Sequence, residues 1–450
     1  MTAGVRDAWG ERLPRSLGLG SAIAVLVGST IGSGIFRVPA TVAGQLGDPG
    51  PMILAWVVGG TLSLFGALTL AELAAALPRS GGVFAYLLEA FGPLPAFLFG
   101  WSELAVIRAS ALGAIATIFA EYLGYFIKLT EQQVHWVAAA GIVVVGIFNY
   151  VGVKKASAFM NVITVVKYAA LAGLVLLAFS VGEGSASHFS GAFRSGMPLS
   201  LMTTALISIM WTYDGWADLS FIGGEIKRPG YTFPRALIIG TAAIVLVYLA
   251  INLAYMYLVP IPEMAESPLV AATAAERIPF LGGRGGALVA AMVMLSCFGS
   301  LNGSMMTGPR IFFAMADRGL FFKGIARVSP RFASPSTAIW LATGLGVLFV
   351  LFNNFQQLAD KFILGIWPFY ALAVAAVFVF RRTRPEMERP YRCWGYPIVP
   401  ATFLLVSLLM VVNALVTDPI NTGITFGIIL VGVPLYFLWR GRRGPWDAVE

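Results

Sequence analysis

Apolar residues in this chain gather into runs of about twenty, long enough to cross a bilayer as helices, with short polar stretches between them. About twelve such runs start near Leu17, Met52, Pro93, Trp136, Ala156, Leu199, Pro234, Gly286, Ser336, Leu358, Ile398 and Gly423. Two of them are interrupted in mid-course. The first reads VLVGSTIGSGIFRVPA from Val25 to Ala40, with Gly28, Gly32 and Gly34 at its centre. Each glycine weakens a helix by roughly 1 kcal/mol relative to alanine. Pro39 deprives the carbonyl of Ile35 of its helical partner. The sixth run, Leu199 to Ile222, contains Tyr213-Asp-Gly-Trp216, a turn-like sequence inside an apolar stretch. Lipid tolerates unpaired backbone only where it is buried in protein or lines a watery cavity. Glycine-interrupted runs at corresponding places in two sets of five point to an inverted-repeat carrier whose ligand site lies where the breaks meet. The correspondence is positional, without letter-by-letter similarity between the halves.

Composition agrees with a polytopic membrane protein. The 450 residues are 58% hydrophobic and 12% charged, with mean hydropathy +0.81, whereas a soluble domain is roughly a quarter charged. The formal charge of +8 would suit nucleic acid or anionic lipid, and its placement favours lipid. With the N-terminus in the cytoplasm, about twenty-one loop cations fall inside, against Lys128, Arg194, Arg277 and Arg284 outside. Both termini are therefore expected in the cytoplasm, and no nucleic-acid partner is needed. The first run follows Arg6, Arg12 and Arg15 and is too long for a signal peptide, so it is expected to remain as a span. Cys297 and Cys393 fall in a predicted span and a predicted cytoplasmic loop, where no disulfide is expected.

The breaks carry the chemistry. A second half-helix opening around Ser33, Gly34 and Ile35 presents free N–H groups and the positive end of its dipole, which suits an anion. A first half ending near Thr30 and Ile31 offers carbonyls to a cation, and the second break near Trp211, Tyr213 and Asp214 supplies more. A zwitterion with carboxylate and ammonium on one carbon uses both sets at once. A pure amine leaves the N–H cradle unused, and a pure acid wastes the carbonyls. The α-amino acid is the economical fit, with Trp211, Tyr213 and Trp216 large enough to cover it.

GSTIGSGIF, YDGW, GEIKRPGYTFPRAL and CFGSLNGS, in this order, resemble the amino acid–polyamine–organocation superfamily. The likeness is to its L-type amino acid transporter branch and that branch's bacterial relatives, and it runs from Ser16 to about Pro400. The resemblance implies an all-α membrane fold of about twelve helices working by alternating access: two five-helix inverted repeats, with helices 1 and 6 broken, plus two C-terminal helices. It divides the chain into a cytoplasmic tail (1–16), a first repeat (17–181), a second repeat (182–381), two further spans (382–440) and a second tail (441–450). It places the substrate carboxylate on the amides of Ser33 and Gly34, within a binding set that includes Thr30, Ile31, Gly32, Trp211, Tyr213 and Asp214. Trp211 matches the aromatic that closes over substrate. Lys167 matches a lysine standing where sodium-coupled relatives hold an ion, which implies sodium independence. Asp214 stands where some relatives have glycine, and Arg37 where mammalian members have an apolar residue. The loop from Tyr125 to Val134 lacks the cysteine through which mammalian light chains bond a heavy subunit, so no disulfide-linked partner is expected.

The expected function is secondary transport of amino acids across the cytoplasmic membrane, by exchange or proton symport. A polyamine or other amine carrier of the same fold is the alternative. No cofactor or metal is implied. An intramembrane enzyme fits poorly, because His135 and His188 fall outside the spans' core and no HExxH or GxSxG pattern occurs. An ammonium within a span is costly unless paired, so Lys167 is expected to act in the mechanism, either as a fixed charge in place of an ion or as a titrating group in proton coupling. Glu103 and Arg108 lie five apart and do not share a helix face, so each is expected to meet another helix. Glu72, Glu89, Glu225 and Asp317 read as loop-anchoring or inner-gate ion pairs at the inner ends, and Asp218 reads similarly.

Overall fold

Backbone polar groups in hydrocarbon must bond within their own segment, and the computed structural model answers with helix throughout. It describes residues 15, 17–79, 81–151, 156–190, 197–281, 283–317, 321–329, 331–332 and 334–440. The expected tails, apart from Arg15, lie outside these residues, as do Lys154, Lys155, Arg194 and Arg318 among the counted loop cations. Among the described residues, eight helices are long and apolar enough to cross a membrane and four shorter apolar helices accompany them, giving the expected twelve.

The first rod is split into α1 (Leu19–Thr30) and α2 (Val38–Leu46). Then follow α3 (Pro49–Ala76), a short α4 (Val83–Phe91), and the rod Pro93–Leu123 made of α5 (Pro93–Ser102), a π-helical turn (Glu103–Ile107) and α6 (Arg108–Leu123). Helices α7 (Glu131–Val151) and α8 (Ala156–Val181) complete the first five rods. The order recurs with α9 (Leu199–Tyr213) and α10 (Asp218–Phe221) as the split rod, then α11 (Pro229–Leu258) and the short α12 (Ile261–Glu266) and α13 (Val270–Glu276). Rods α14 (Gly285–Asp317), α15 (Ser336–Phe352) and α16 (Phe355–Thr383) follow, and α17 (Ile398–Thr417) and α18 (Pro419–Arg440) close the chain. The crossings alternate, so α4 and α12–α13 lie on opposite faces. The second repeat is thus the first turned over. The face on which α1 begins is called the N-terminal face below.

Several rods begin earlier than their apolar runs suggest. α7 starts at Glu131 rather than Trp136 because Thr130 and Gln133 cap it reciprocally: the Thr130 N–H donates to Gln133 Oε1 at 2.8 Å and the Gln133 N–H to Thr130 Oγ1 at 3.3 Å. Asn354 and Gln357 form the same capping box ahead of α16, which starts at Phe355 rather than Leu358. Pro229 opens α11, where a proline's missing N–H costs nothing, and Pro234 rides inside the helix.

Two groups of helices form. α1, α3, α9 and α11 pack together, with Gly59 and Gly60 of α3 letting Ile209, Met210 and Val245 approach closely. α6, α7, α14 and α15 form the other group, while α8 and α16 touch both. On the N-terminal face, Glu72 ties the ends of α3 and α16 together. It takes Arg381 Nε at 3.0 Å and Nη2 at 2.6 Å, and the backbone N–H of Cys393 at 2.7 Å, with its own side chain only 2% exposed. Arg79 and Arg384 share Glu89 at 2.8 and 2.9 Å. Burial raises the Cys393 thiol above its ordinary pKa. Removing one partner of a buried ion pair leaves the other uncompensated, at a cost of about 3–5 kcal/mol. Glu72→Gln is accordingly expected to lower the thermal denaturation midpoint in detergent far more than Glu89→Gln does.

Candidate functional site

α1 ends at Thr30 because the next residues leave helical geometry. Ile31 has ψ 83°, and the Gly32 N–H turns back to the Thr30 carbonyl at 2.7 Å. A single 3₁₀ turn, Gly34–Phe36, then leads into α2. Among the described residues, the N–H groups of Ser33, Gly34 and Ile35 make no hydrogen bond; the next two, of Phe36 and Arg37, bond back to Ser33 at 3.2 Å and Gly34 at 3.0 Å. The second rod breaks after Tyr213. Asp214 is extended (ψ 153°), Gly215 has φ +115°, and the Asp218 N–H restarts the helix on the Gly215 carbonyl at 3.1 Å. No backbone N–H among the described residues continues onto the carbonyls of Trp211 and Thr212.

The breaks touch each other through glycine. A Cβ on Gly215 would stand 2.8 Å from both Cα and Oγ1 of Thr30, and one on Gly34 would stand 2.8 Å from Thr212 Oγ1 and 3.1 Å from Trp211 Cδ1. Gly215 also needs its positive φ, which residues with a Cβ adopt at a cost. Ser29 Oγ donates to the Gly215 carbonyl at 3.3 Å and closes the contact.

Beside the crossing lies a cavity of about 250 Å³. Thr30, Gly32, Ser33 and Gly34 line it from the first break, Trp211, Thr212, Asp214 and Asp218 from the second, and Lys167 from α8. The remaining wall is Arg108, Ala111 and Ile115 of α6, Phe362 of α16, and Ser296, Gly299, Ser300, Gly303, Ser304 and Thr307 of α14. Trp211 meets Phe362 edge-on, with ring centroids 4.9 Å apart, and Phe355 at 6.4 Å. Above them Arg37 lies over Phe355 at 5.2 Å and donates through Nε to Glu121 Oε2 at 2.8 Å. These contacts seal the cavity from the face opposite the N-terminal one. On the N-terminal side the wall descends past Arg108 and Asp218 to Thr307, which is exposed.

Most residues singled out from the sequence meet here, but Ile31, Ile35, Tyr213 and Trp216 do not line the cavity. Ile31 is buried, and its carbonyl accepts a hydrogen bond from Lys167 Nζ. The Thr30 carbonyl is occupied too, by the Tyr248 hydroxyl at 2.9 Å. Tyr213 turns away: its hydroxyl donates to the Trp56 carbonyl at 3.3 Å, and its ring packs on Trp56 and Tyr248. Trp211, Thr212 and Asp214 line the cavity, while Tyr213 points to the helix group behind. Trp216 is likewise buried scaffold against Tyr370.

The expectation that Glu103 and Arg108 part company is overturned. Arg108 Nη2 donates to Glu103 Oε2 at 3.1 Å. The π-helical turn Glu103–Ile107 widens the local repeat so that residues five apart stand one above the other. Arg108 Nη1 donates to Ser304 Oγ at 2.8 Å. Asp214 faces the cavity and accepts the Tyr370 hydroxyl at 3.1 Å. The small residues of α14 leave room that forms part of the cavity wall.

The sequence of residues 17–438 matches the family model described as amino acid permease. The chain is 31% identical to the human b(0,+)-type amino acid transporter 1, over 96% of this chain and 90% of that protein. It is 33% identical to the human cystine/glutamate transporter, over 95% and 86%. It is 29% identical to the serine/threonine exchanger SteT of Bacillus subtilis (strain 168), over 96% and 98%.

The two glycine contacts set a structural test. Gly215→Ala forces a Cβ into Thr30 at a positive φ, and about 1–3 kcal/mol of strain is expected. The variant should denature at a lower temperature than one carrying Gly303→Ala, where a Cβ meets open space.

Proposed function

The chain belongs to the amino acid permease family, and from that premise we propose that it carries α-amino acids across the cytoplasmic membrane by alternating access. Its relatives are named as transporters, so the chain is not an enzyme. One observation carries the reading: three N–H groups without hydrogen-bond partners, at Ser33, Gly34 and Ile35, beside a cavity of about 250 Å³. The substrate carboxylate rests on the Ser33 and Gly34 amides. The carbonyls of Trp211 and Thr212, with Asp214, receive its ammonium, because those of Thr30 and Ile31 already have donors. Trp211, held by Phe362, covers the ligand on the sealed side. The loop bias in positive charge puts the N-terminal face and both termini in the cytoplasm, so this is the inward-facing form of the carrier.

Sodium is not required on this reading. Lys167 Nζ supplies the positive charge at the Ile31 carbonyl, where a broken helix otherwise coordinates a cation. Exchange is favoured over proton-linked uptake by the name of the Bacillus relative, a serine/threonine exchanger. The chain works without a disulfide-bonded heavy subunit, because no cysteine lies between Tyr125 and Val134. A polyamine carrier is disfavoured, since an amine leaves the N–H cradle without an acceptor.

Purified protein in liposomes preloaded with unlabelled amino acids should take up a labelled one equally well in sodium and in choline buffer. Failure of every common amino acid to move or to compete would end the reading. Lys167→Ala should cut uptake by about tenfold or more, equivalent to about 1.4 kcal/mol, while the purified yield stays level. Uptake at the parent rate would remove Lys167 from the mechanism.

A further inference from the structure

The rod Pro93–Leu123 passes the cavity from one end to the other and presents a charged side chain towards each end. Towards the sealed face, Glu121 holds Arg37 at 2.8 Å. Towards the N-terminal face, Arg108 lines the mouth opposite Asp218. The two sites lie about 20 Å apart along the rod at 1.5 Å per residue. Arg37 and Asp218 are counterparts: each follows its break's tightly packed glycine, Gly34 or Gly215, by three residues, and each leads into the second half of its split rod.

Only one of the two pairs is made. The Asp218 carboxylate has no hydrogen bond or ion pair among the described residues, although it faces the cavity. Arg108 is held back by Glu103, at 3.1 Å, and by Ser304 Oγ, at 2.8 Å. Its Nε is buried without a partner, so the guanidinium keeps donor capacity in reserve. Glu103 is itself 2% exposed and fixed on the π-helical turn, which makes it a support for the arginine rather than a competitor at the mouth. An unpaired carboxylate at this depth is tolerable while water reaches it and costly once water leaves. Closing the mouth therefore requires a cation for Asp218, and Arg108 is the one across from it.

We propose that Arg108 and Asp218 form the gate of the N-terminal face, an ion pair made when the cavity closes there and exchanged for the Arg37–Glu121 pair on the opposite face. The proposal rests on the alternating-access reading above. α6 then serves as a fixed post that each broken rod grips in turn. Glu103 and Ser304 keep Arg108 aimed while the mouth is open.

The test uses cysteine reporters in the full chain with Cys297→Ala and Cys393→Ala. Ser208→Cys reports the sealed face, since Ser208 is buried in the contact between Gln45 and Gln356. Thr307→Cys reports the N-terminal mouth. A hydrophilic maleimide is applied to protein in detergent, and labelling is followed by mass. Asp218→Asn should slow labelling at Ser208→Cys by about tenfold, within the usual range of coupling between two states, without slowing it at Thr307→Cys. Glu121→Gln should do the reverse at Ser208→Cys. Exchanging the charges, Asp218→Arg with Arg108→Asp, should recover part of the lost labelling. If the exchanged variant does not elute as a single species, Asp218→Glu, which should label as the parent, decides against Asp218→Asn. Unchanged Ser208→Cys labelling in Asp218→Asn overturns the gate, and so does a change in substrate affinity alone. The labelling needs no substrate, so a failure of amino acid uptake would count against the carrier reading and leave the gate separately judged.

Discussion

The structure depends on two interrupted helices touching at their interruptions. Broken backbone within a membrane is tolerable only if protein or water takes up the loose groups, and here each break shields the other. Gly215 lies flat against Thr30, and Gly34 lies against Thr212 and Trp211. Any side chain at either glycine would hold the rods apart and flood the gap between them. The close contact also fixes polarity. The N–H groups that begin one half-helix and the carbonyls that end another are brought to one small cavity, which in the proposed reading meets both poles of a dipolar ligand. Side-chain chemistry is then free to set access and selectivity.

That contact explains which features were legible in the sequence. Both breaks were readable because glycine and proline in an apolar run have few other uses. The number of rods was readable because bilayer thickness fixes their length. Their starting points were less so: the polar first turns of α7 and α16 are held by capping boxes, Thr130 with Gln133 and Asn354 with Gln357, and a search for apolar runs passes over them. The pairing of Glu103 with Arg108 was hidden for a different reason. A π-helical turn changes which residues share a face, and nothing in ELAVI announces one. The role of α14 was likewise ambiguous, since small residues allow close packing and hollow space equally well. Tyr213 shows the limit of reading a motif whole. Its neighbours Trp211 and Asp214 face the cavity while it secures the helix behind, through Trp56 and Tyr248.

The arrangement of helices into two groups gives the rod Pro93–Leu123 a particular place. It belongs to the group that includes α14 and α15, yet its Glu121 reaches Arg37 at the start of α2. Contacts between the groups that consist of single ion pairs and aromatic edges break and remake at low cost. The broad apolar contacts within each group do not. In the alternating-access reading, motion is directed to the seam where Arg37, Trp211 and Asp218 lie, and the packed interiors on both sides remain as they are.

Lys167 bears on how such a carrier would be driven. A half-helix that ends inside a membrane leaves carbonyl groups bearing partial negative charge, and the Ile31 carbonyl is one of them. In the proposed reading this lysine meets that need permanently, with a charge tethered by its own chain. A dissociable ion at the same place would bind from one side and leave on the other, and its gradient would do work on the transported molecule. A tethered charge crosses nothing. The carrier then has no ion whose downhill movement can be linked to uptake at this position, and in the proposed reading the free energy for accumulation comes from another solute moving the opposite way. Counter-transport of a second amino acid through the same cavity satisfies that requirement with no further site, which is why an exchanger follows more naturally from the lysine than a pump driven by sodium.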